Sequence, residues 1–588
     1  MTHSITRRKL LAAASFAGLG TTIGSCAQNT QTEVFSAARS AATGRFTHGI
    51  ASGDPLQTAV ILWTRITPDD QNGGPVTLTW ELSPTQAFAE EGLRRGTITA
   101  SAASDWTAKV DATGLRPGQL YYYRFTIAQR GQEPQAGEQS PVGQTRTLPE
   151  GPLDTARFAV VSCANWQHGF FNAYDHIARQ DGFDAVIHLG DYFYEYGAQD
   201  TLNAGQGRLH EPRHEIISLR DYRIRHAQYR TDSSLQAMSA KFPLITIWDD
   251  HESSNDSWQG GAENHSPDTE GSWDARKQAA MRAYYEWMPV RNPTEGKAKE
   301  TLLRSLDFGD LITLVTVETR LTARAEPLII EDHIEAINQE GGAEKFKAEV
   351  LGDASREMYG QLQEDFIVDT LTRSKERGQR WRVIANQVIM GRLLTPDLEP
   401  YVDEDTLAAI EAQWAGVRDM VSLSKHNFPV YPDSWDGYPA ARERFYGRLK
   451  DADVRDIFVL TGDAHEFWVN DLTMKTKTQV GVEFVTTSVS SETLTAYMGG
   501  GAVDYALLLT QANEDARYYN AMHNGYSDIT FTKDKARVKM IAVSDVTQQE
   551  YSASEVAAFT VRPDKGSLSV SSPKGLNLKQ RALFNGLG

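Results

Sequence analysis

Cysteine is almost absent from this chain of 588 residues, which contains two. Cys26 lies in an N-terminal segment with the features of an export signal, so the mature chain would retain Cys163 alone. No internal disulfide could then form. In an oxidising compartment a single cysteine is expected to be either a small buried residue or a ligand of a partner such as a metal ion. Because Cys163 follows an apolar run, at a predicted strand end, we favour the metal ligand.

Long hydrophobic runs and an excess of positive charge are also missing. After the N-terminal segment, no stretch approaches the roughly 18 consecutive apolar residues of a membrane-spanning helix. The formal net charge is -18, which opposes binding to the phosphate backbone of nucleic acids. We therefore expect no stable nucleic-acid binding, and contact with a membrane only through a lipid anchor.

Residues 1–42 have the pattern of a twin-arginine export signal and linker. Arg7 and Arg8 precede an Ala- and Gly-rich apolar run that ends near Ile23, and this order is typical of such signals. The four residues that end at Cys26 resemble a lipobox, in which Cys26 would be lipidated, whereas ordinary cleavage near residues 37–42 is the alternative. The segment predicts export by the twin-arginine machinery to the periplasm, the medium or the cell envelope as a lipoprotein.

Residues 43–148 predict a small all-β sandwich of the immunoglobulin or fibronectin type. Short alternating apolar runs, such as residues 59–64 and 76–80, are separated by Gly, Pro and Asp, as in antiparallel sheets. Tyr121, Tyr123 and Phe125 share one face of a predicted strand, and the segment fits a tyrosine corner. We interpret this sandwich as a packing domain, because a fold alone does not define a function.

Residues 149–550 have an α/β pattern. Short apolar runs alternate with helical segments such as residues 276–286 and 361–374. Five of the runs end in polar residues that could bind metal or phosphate, at positions 162–163, 190–191, 249–251, 386–387 and 461–465. Ligands of α/β sheets lie at the carboxyl ends of the strands, so we expect one shared site. Residues 551–588, rich in Ser, Lys and Gly, predict a C-terminal tail or cap.

The side chains at these strand ends predict a mixed metal site. Cys163, Tyr194 and His465 suit a transition metal, whereas carboxylates such as Asp191 and Asp250 suit calcium, magnesium or manganese. The sequence therefore predicts two unlike ions side by side.

Seven motifs in order along the chain carry a family resemblance: residues 50–55 (IASGDP), 190–196 (GDYFYEY), 248–252 (WDDHE), 286–291 (EWMPVR), 385–387 (ANQ), 435–439 (WDGYP) and 461–465 (TGDAH). They resemble the PhoD-like alkaline phosphatase family, within the calcineurin-like metallophosphoesterase superfamily. The resemblance covers residues from about 46 to about 546. It implies an α/β domain with a metallophosphoesterase-type sheet sandwich flanked by helices, after the small all-β sandwich.

The resemblance also implies a set of ligands for Fe3+ and Ca2+. Those implied for the iron are Cys163, Asp191, Tyr194 and His465. Those implied for the calcium are the bridging Asp191 together with Asp250, Asn386 and Asp463.

His251 and Asp250 are the catalytic residues that the resemblance implies. His251 would contact the phosphate or protonate the leaving alkoxide, although it could instead be only a hydrogen-bond partner of Asp249. His188, inside a predicted strand, is interpreted as a core histidine. The sequence departs from the family pattern at residues 255–256 and at Glu318, which leaves the ligands intact but changes their surroundings.

The function implied is an exported, metal-dependent phosphoric ester hydrolase, that is, an alkaline phosphatase or phosphodiesterase. It would release phosphate from organic phosphate esters by in-line attack of a metal-bound hydroxide. Small-molecule and lipid phosphate esters both fit, so a phospholipid-cleaving phosphodiesterase is an alternative on the same metal centre. A non-catalytic exported binding protein would require missing ligands, whereas every expected ligand position is filled.

Overall fold

The computed structural model describes residues 44–70, 74–127, 138–198, 208–294, 302–411, 416–494 and 501–571. The predicted export signal, Cys26 and the last residues of the chain, 572–588, lie outside the described residues. No helix within the described ranges combines the length and the apolar character that crossing a membrane requires.

The strands of the described chain are numbered in chain order. They are β1 (Gly44–Arg45), β2 (Ile50–Gly53), β3 (Ala59–Arg65), β4 (Thr67–Pro68), β5 (Val76–Ser83), β6 (Arg94–Ala100), β7 (Thr107–Thr113), β8 (Leu120–Ile127), β9 (Gly143–Arg146), β10 (Thr155–Val161), β11 (Ala185–His188), β12 (Leu244–Thr246), β13 (Arg304–Phe308), β14 (Ile312–Thr316), β15 (Trp381–Ala385), β16 (Ile457–Thr461), β17 (Phe467–Thr473), β18 (Gln479–Val485), β19 (Ala516–Asn520), β20 (Gly525–Thr532), β21 (Ala536–Val543), β22 (Ala553–Asp564) and β23 (Ser567–Ser571).

The helices are numbered in the same way. They are α1 (Asn172–Arg179), α2 (Leu219–Tyr229), α3 (Ser233–Lys241), α4 (Pro267–Glu270), α5 (Trp273–Trp287), α6 (Ile334–Ile337), α7 (Gly342–Phe346), α8 (Gln361–Glu376), α9 (Glu404–Glu411), α10 (Val417–Ser424), α11 (Pro439–Asp451) and α12 (Gly501–Ala512).

Two large sheets pack face to face and form the α/β part of the molecule. The first runs β23-β22-β21-β20-β10-β11-β12-β2-β3-β7, and the second runs β13-β14-β15-β16-β18-β17-β19. Their inner faces share one apolar core, in which the rings of Phe458 and Phe531, from opposite sheets, lie 5.1 Å apart. Helices α1 and α3 contribute to the core outside the first sheet, and α8 and α11 to the core outside the second. This arrangement confirms the predicted sheet sandwich flanked by helices.

The five predicted strand ends are confirmed and lie at matching edges of the two sheets. Strands β10, β11 and β12 are parallel neighbours, and β15 and β16 are parallel neighbours in the second sheet. Each is fully buried or nearly so, as expected for parallel strands covered on both faces. The polar residues that follow them therefore converge at one edge.

The N-terminal all-β sandwich is also confirmed, but one of its sheets is continuous with the first large sheet. Strands β6-β5-β8-β9 form a separate four-stranded sheet that shares a core with β3 and β7. Strand β2 pairs with β12 through Gly53 and Leu244, and Asp54 N donates to the Leu244 carbonyl (2.9 Å). One backbone ladder thus crosses from the sandwich to the α/β part.

The predicted tyrosine corner is present in β8. Tyr121, Tyr123 and Phe125 are all buried on one face, as their alternation in the sequence predicts. The hydroxyl of Tyr121 accepts a hydrogen bond from Arg116 N, five residues upstream (2.9 Å). This bond holds the turn before β8 against the sandwich.

The described part of the predicted C-terminal tail or cap, residues 551–571, is mostly strand, whereas residues 572–588 lie outside the described residues. Residues 553–564 and 567–571 form β22 and β23, which extend the edge of the first sheet. Phe559 and Val561 are buried in the core between the sheets. The strands were not predicted because the segment is rich in Ser and Lys, and such polar residues also occupy the outward face of an edge strand.

The junction between the sandwich and the α/β part contains a buried charge. Asp54 accepts hydrogen bonds from Arg304 Nη1 (2.9 Å) and from Arg291 N (2.9 Å). Burial alone would raise the pKa of Asp54, but Arg304 and Arg291 outweigh it and hold the pKa below its ordinary value. The ionised carboxylate therefore stabilises the junction.

We predict that Asp54→Ala lowers the free energy of unfolding by about 3 kcal/mol, because two arginines lose their buried partner. Denaturant unfolding of the metal-loaded protein measures this. Since the folded pKa of Asp54 is lowered, the difference from the wild type should be complete above about pH 4 and shrink as the pH falls through the folded pKa.

Asp111→Ala is the matched control for Asp54→Ala. Asp111 pairs with the same Arg291 (3.0 Å) but its side chain is 44% exposed, so its loss should cost less than about 1 kcal/mol. Equal effects of the two substitutions would contradict the role given to Asp54.

Candidate metal centre

Four of the predicted metal ligands have a left-handed backbone. The φ angles are 61° at Cys163, 53° at Asp191, 62° at Asp463 and 61° at His465. Residues other than glycine rarely adopt this conformation, and it persists only where the surrounding structure holds it. Each of these residues follows a strand, so the chain turns sharply there and directs the side chain to the sheet edge.

The structure brings together the four residues predicted as iron ligands, which are Cys163, Asp191, Tyr194 and His465. The Cys163 thiol lies 3.3 Å from Asp191 Oδ2, and the Tyr194 hydroxyl lies 2.9 Å from His465 Nε2. The Glu492 carbonyl lies 2.8 Å from His465 Nδ1. Because a carbonyl only accepts, Nδ1 carries the proton and Nε2 keeps a lone pair for a metal.

A group of carboxylates adjoins these residues. Oxygens of Asp191, Asp249, Asp250 and Asp463 all lie within 4.8 Å of one another. The backbone N of Asp256 donates to Asp250 Oδ2 (2.6 Å). Asp191 belongs to both groups, which agrees with its predicted bridging position.

Arg320 is one cation that the structure places against this carboxylate group, and the imidazole of His251 lies beside Asp191 and Asp250. The Arg320 guanidinium is fully buried, donates to Asp249, and lies 3.0 Å from an oxygen of Asp463 and 3.4 Å from one of Asp250. Burial raises the pKa of Asp249 to about 7, and Arg320 only partly opposes that rise. One guanidinium therefore does not neutralise four neighbouring carboxylates.

The donor set fits multivalent cations. Asp191 Oδ1, Asp249 Oδ2 and Asp250 Oδ1 are buried and have no hydrogen-bond partner in the described part of the chain. Burial raises the pKa of Asp191 and of the Cys163 thiol well above their ordinary values. Ionisation of a buried acidic group is costly, but it becomes favourable when a metal ion supplies the opposite charge. The residues present thus fit the two ions predicted from the sequence.

His251 is held by a carboxylate that the sequence analysis did not single out. Its Nδ1 lies 2.6 Å from Glu195 Oε2, and not against Asp249 as the alternative proposed. Its ring centre lies 4.1 Å from that of Tyr194. Burial opposes protonation, but Asp250 and Glu195 outweigh it and raise the pKa of His251 well above 6.5. The imidazole is therefore oriented by Glu195 and adjacent to the predicted metal ligands, and the neighbouring carboxylates favour its protonated form.

Glu252 fixes the backbone of two ligand loops. Its carboxylate accepts hydrogen bonds from the backbone N of Asp191 (3.0 Å), Tyr192 (2.6 Å) and Asp249 (2.8 Å). Gly190 precedes these residues with φ 105°, and a Cβ there would lie 2.4 Å from Asp249 Cβ. The absence of a side chain at residue 190 allows the loops after β11 and β12 to approach closely.

Asn386 differs from the other predicted ligands. Its side-chain amide donates to the Val388 carbonyl, and its oxygen accepts from the Tyr359 hydroxyl (3.1 Å). Its contacts with Tyr359 and Val388 leave one lone pair on the oxygen. A calcium ligand at Asn386 stays a prediction from the family resemblance.

His188 is a core residue, as interpreted from its position in a strand. It is buried, and its Nε2 lies 2.8 Å from the Tyr174 hydroxyl. It takes no part in the metal centre as described.

Comparison with known proteins shows which family this chain belongs to. The family model "PhoD-like phosphatase" matches residues 158–540, and "PhoD-like phosphatase, N-terminal domain" matches residues 29–149. Alkaline phosphatase D of Bacillus subtilis (strain 168) is 32% identical over 589 aligned residues, which cover 96% of this chain and 89% of the relative. The chain belongs to the PhoD-like phosphatase family.

Solved structures extend the comparison of this PhoD-like phosphatase. The structure of PhoD is 30% identical, with a TM-score of 0.70 and coverage of 93% of this chain and 94% of that one. A purple acid phosphatase from yellow lupin (Lupinus luteus) is 13% identical, with a TM-score of 0.51 and coverage of 89% and 75%. At that identity the second match shows a shared fold.

Two functional residues of this PhoD-like phosphatase, Glu195 and Arg320, were not predicted from the sequence. Both contact residues that are far away along the chain. Glu195 stood inside a quoted motif but was given no role. Arg320 stood beside Glu318, which was noted only as a departure from the family pattern. Glu318 Oε1 accepts from the backbone N of Arg320 (2.8 Å) and from Trp248 Nε1 (3.2 Å), so Glu318 holds the backbone of Arg320 in place.

We predict that Glu195→Gln lowers kcat at least about tenfold, because residues that orient a catalytic imidazole typically contribute that much. KM and the bound metal should change little. Steady-state kinetics with p-nitrophenyl phosphate and elemental analysis of the same preparation measure this.

Glu211→Gln serves as the control for Glu195→Gln. Glu211 is half-exposed and pairs with Arg213 (3.0 Å), so kcat should stay at the wild-type value. An unchanged kcat in Glu195→Gln with full metal content would show that His251 does not depend on this hydrogen bond.

Proposed function

We propose that this PhoD-like phosphatase is an exported phosphoric ester hydrolase with one Fe3+ and one Ca2+ in its active site. The observation that carries the proposal is the convergence of Cys163, Asp191, Tyr194 and His465 beside three further carboxylates, of which two are buried and one is partly buried. Phosphate-ester hydrolysis agrees with the name of the relative, alkaline phosphatase D.

The chemistry of the donors supports two unlike ions. A thiolate, a phenolate and an imidazole suit a transition metal, and the phenolate in particular favours the ferric state. The neighbouring oxygens of Asp191, Asp250 and Asp463 suit calcium, and Asn386 would add an amide oxygen. Asp191, which belongs to both groups of candidate ligands, would help to hold both ions.

His251 and Asp250 are the proposed catalytic residues. When bound, the two cations supply positive charge to the phosphate oxygens and lower the pKa of a water molecule. Asp250 and Glu195 stabilise the protonated imidazole of His251. His251 then holds a proton for the leaving alkoxide, and Glu195 keeps the ring in a single orientation.

Substrate and location are parts of the same proposal. Phosphate monoesters, diesters and phospholipids present the same group to the metal centre, and the net charge of -18 opposes stable nucleic-acid binding. The proposed signal in residues 1–42 would send the protein through the twin-arginine machinery, and Cys26 would supply a lipid anchor.

Hydrolysis assays test the proposed reaction. We expect release of p-nitrophenol from p-nitrophenyl phosphate, from its bis-ester, or from both, by protein that contains iron and calcium. Since no side chain acts as a phosphate acceptor, a chiral phosphate ester should react with inversion at phosphorus. Retention, or absence of both activities in the metal-loaded protein, would contradict the proposal.

A separate prediction concerns Cys163. A thiolate and a phenolate on ferric iron absorb visible light, so iron-loaded protein should be coloured. Cys163→Ala should remove most of the iron, the colour and the activity together, as elemental analysis, absorption spectra and p-nitrophenyl phosphate turnover would record. Cys26→Ala should retain all three, because Cys26 lies in the proposed export signal. A colourless wild-type protein with stoichiometric iron would exclude these ligands.

A further inference from the structure

Arg230 is a buried cation with no hydrogen-bond partner for its guanidinium among the described residues, and it lies at the junction between the N-terminal sandwich and the metal centre. Its side chain is 0% exposed, and its Nε, Nη1 and Nη2 make no hydrogen bonds within the described ranges. The guanidinium carbon lies 4.6 Å from the ring centre of Trp63 in β3 and 5.6 Å from that of Tyr192. Tyr192 is the residue after Asp191, so Arg230 lies between a sandwich strand and a metal-ligand loop.

Two neighbouring side chains are unpaired as well. The Tyr192 hydroxyl and both ring nitrogens of His226 are buried without a hydrogen-bond partner among the described residues. The rings of Tyr192 and His226 lie 6.3 Å apart. Burial, and then Arg230, lowers the pKa of His226 well below its ordinary value, so the imidazole is neutral and can donate from one nitrogen. Three adjacent residues thus present donors and one positive charge.

No described carboxylate is available to neutralise Arg230. The nearest in sequence, Asp232, accepts from Ser234 N (2.9 Å) and pairs with Arg208 (3.2 Å). Contact with aromatic rings stabilises a desolvated guanidinium by only about 2 kcal/mol, whereas a buried, uncompensated ion costs several kcal/mol. Water molecules alone would satisfy the donors but would leave the charge uncompensated.

We propose that Arg230, Tyr192 and His226 bind one small monovalent anion, of the class of chloride. The anion would accept hydrogen bonds from the guanidinium, the Tyr192 hydroxyl and one nitrogen of His226, against the apolar wall of Trp63. The site lies apart from the phosphate-ester chemistry and is independent of the proposed function. Its occupancy would stabilise the contact between β3 and the loop that carries Asp191.

Thermal unfolding at constant ionic strength tests the proposal on the full, metal-loaded chain. Replacing potassium gluconate by potassium chloride over a hundredfold range of concentration should raise the wild-type Tm by about 2 °C or more, because a ligand of the folded state stabilises it by mass action. Arg230→Met, which keeps the length and removes the charge, should abolish the dependence on chloride.

Arg65→Met is the matched control. Arg65 lies 5.0 Å from the Trp287 ring in the same region, but it has its own partner in Asp105 (3.1 Å). Its loss should lower Tm equally in both salts and leave the chloride dependence intact. The same chloride dependence in the wild type and in Arg230→Met would overturn the proposal.

Crystals of the wild type grown in bromide give a direct test that does not depend on whether Arg230→Met folds. We expect an anomalous peak within about 3.5 Å of the Arg230 guanidinium, the range of a hydrogen bond to a large anion. Ordered water without an anomalous signal at this position would overturn the anion site.

Discussion

Mutual repulsion among buried carboxylates is the constraint on which this structure depends. Oxygens of four aspartates lie within 4.8 Å of one another, and Arg320 alone does not balance them. The repulsion is strong because the site is shielded from water. Multivalent cations therefore belong to the stable folded state, and the metal-free protein should be markedly less stable. The sheet edge, the ligand loops and Glu252 all serve to keep these charges together.

The backbone at the predicted ligands is also held in an unfavourable conformation. Ligands at left-handed φ angles, such as Cys163 and Asp463, follow buried strands. The surrounding structure holds them in that conformation. Glu252 adds three hydrogen bonds to the backbone of the ligand loops. A rigid scaffold of two packed sheets thus positions the thiol, imidazole and carboxylates of the metal centre, with Asp191 common to both groups of candidate ligands.

The strand ends could be predicted from sequence because each combines a short apolar run with a following polar residue, as in the runs before Cys163 and Asp191. Glu195 and Arg320 could not be assigned roles, since they contact His251 and Asp463, 56 and 143 residues away, and no local pattern records such a contact. The strands after residue 553 were missed because their outward faces are polar. The pairing of Gly53 with Leu244 leaves no periodic signal, so the continuation of the first sheet into the N-terminal sandwich could not be predicted.

The pairing of β2 with β12 gives the N-terminal sandwich a second structural role. If the chain were cut after residue 148, β12 would lose its neighbour β2, and its unpaired backbone groups would become an open sheet edge. Exposed edges of this kind recruit strands from other molecules and lead to aggregation. The sandwich thus acts as an edge protector for the catalytic sheet, and evolution could not lose it, or exchange it freely, without supplying another cover for β12.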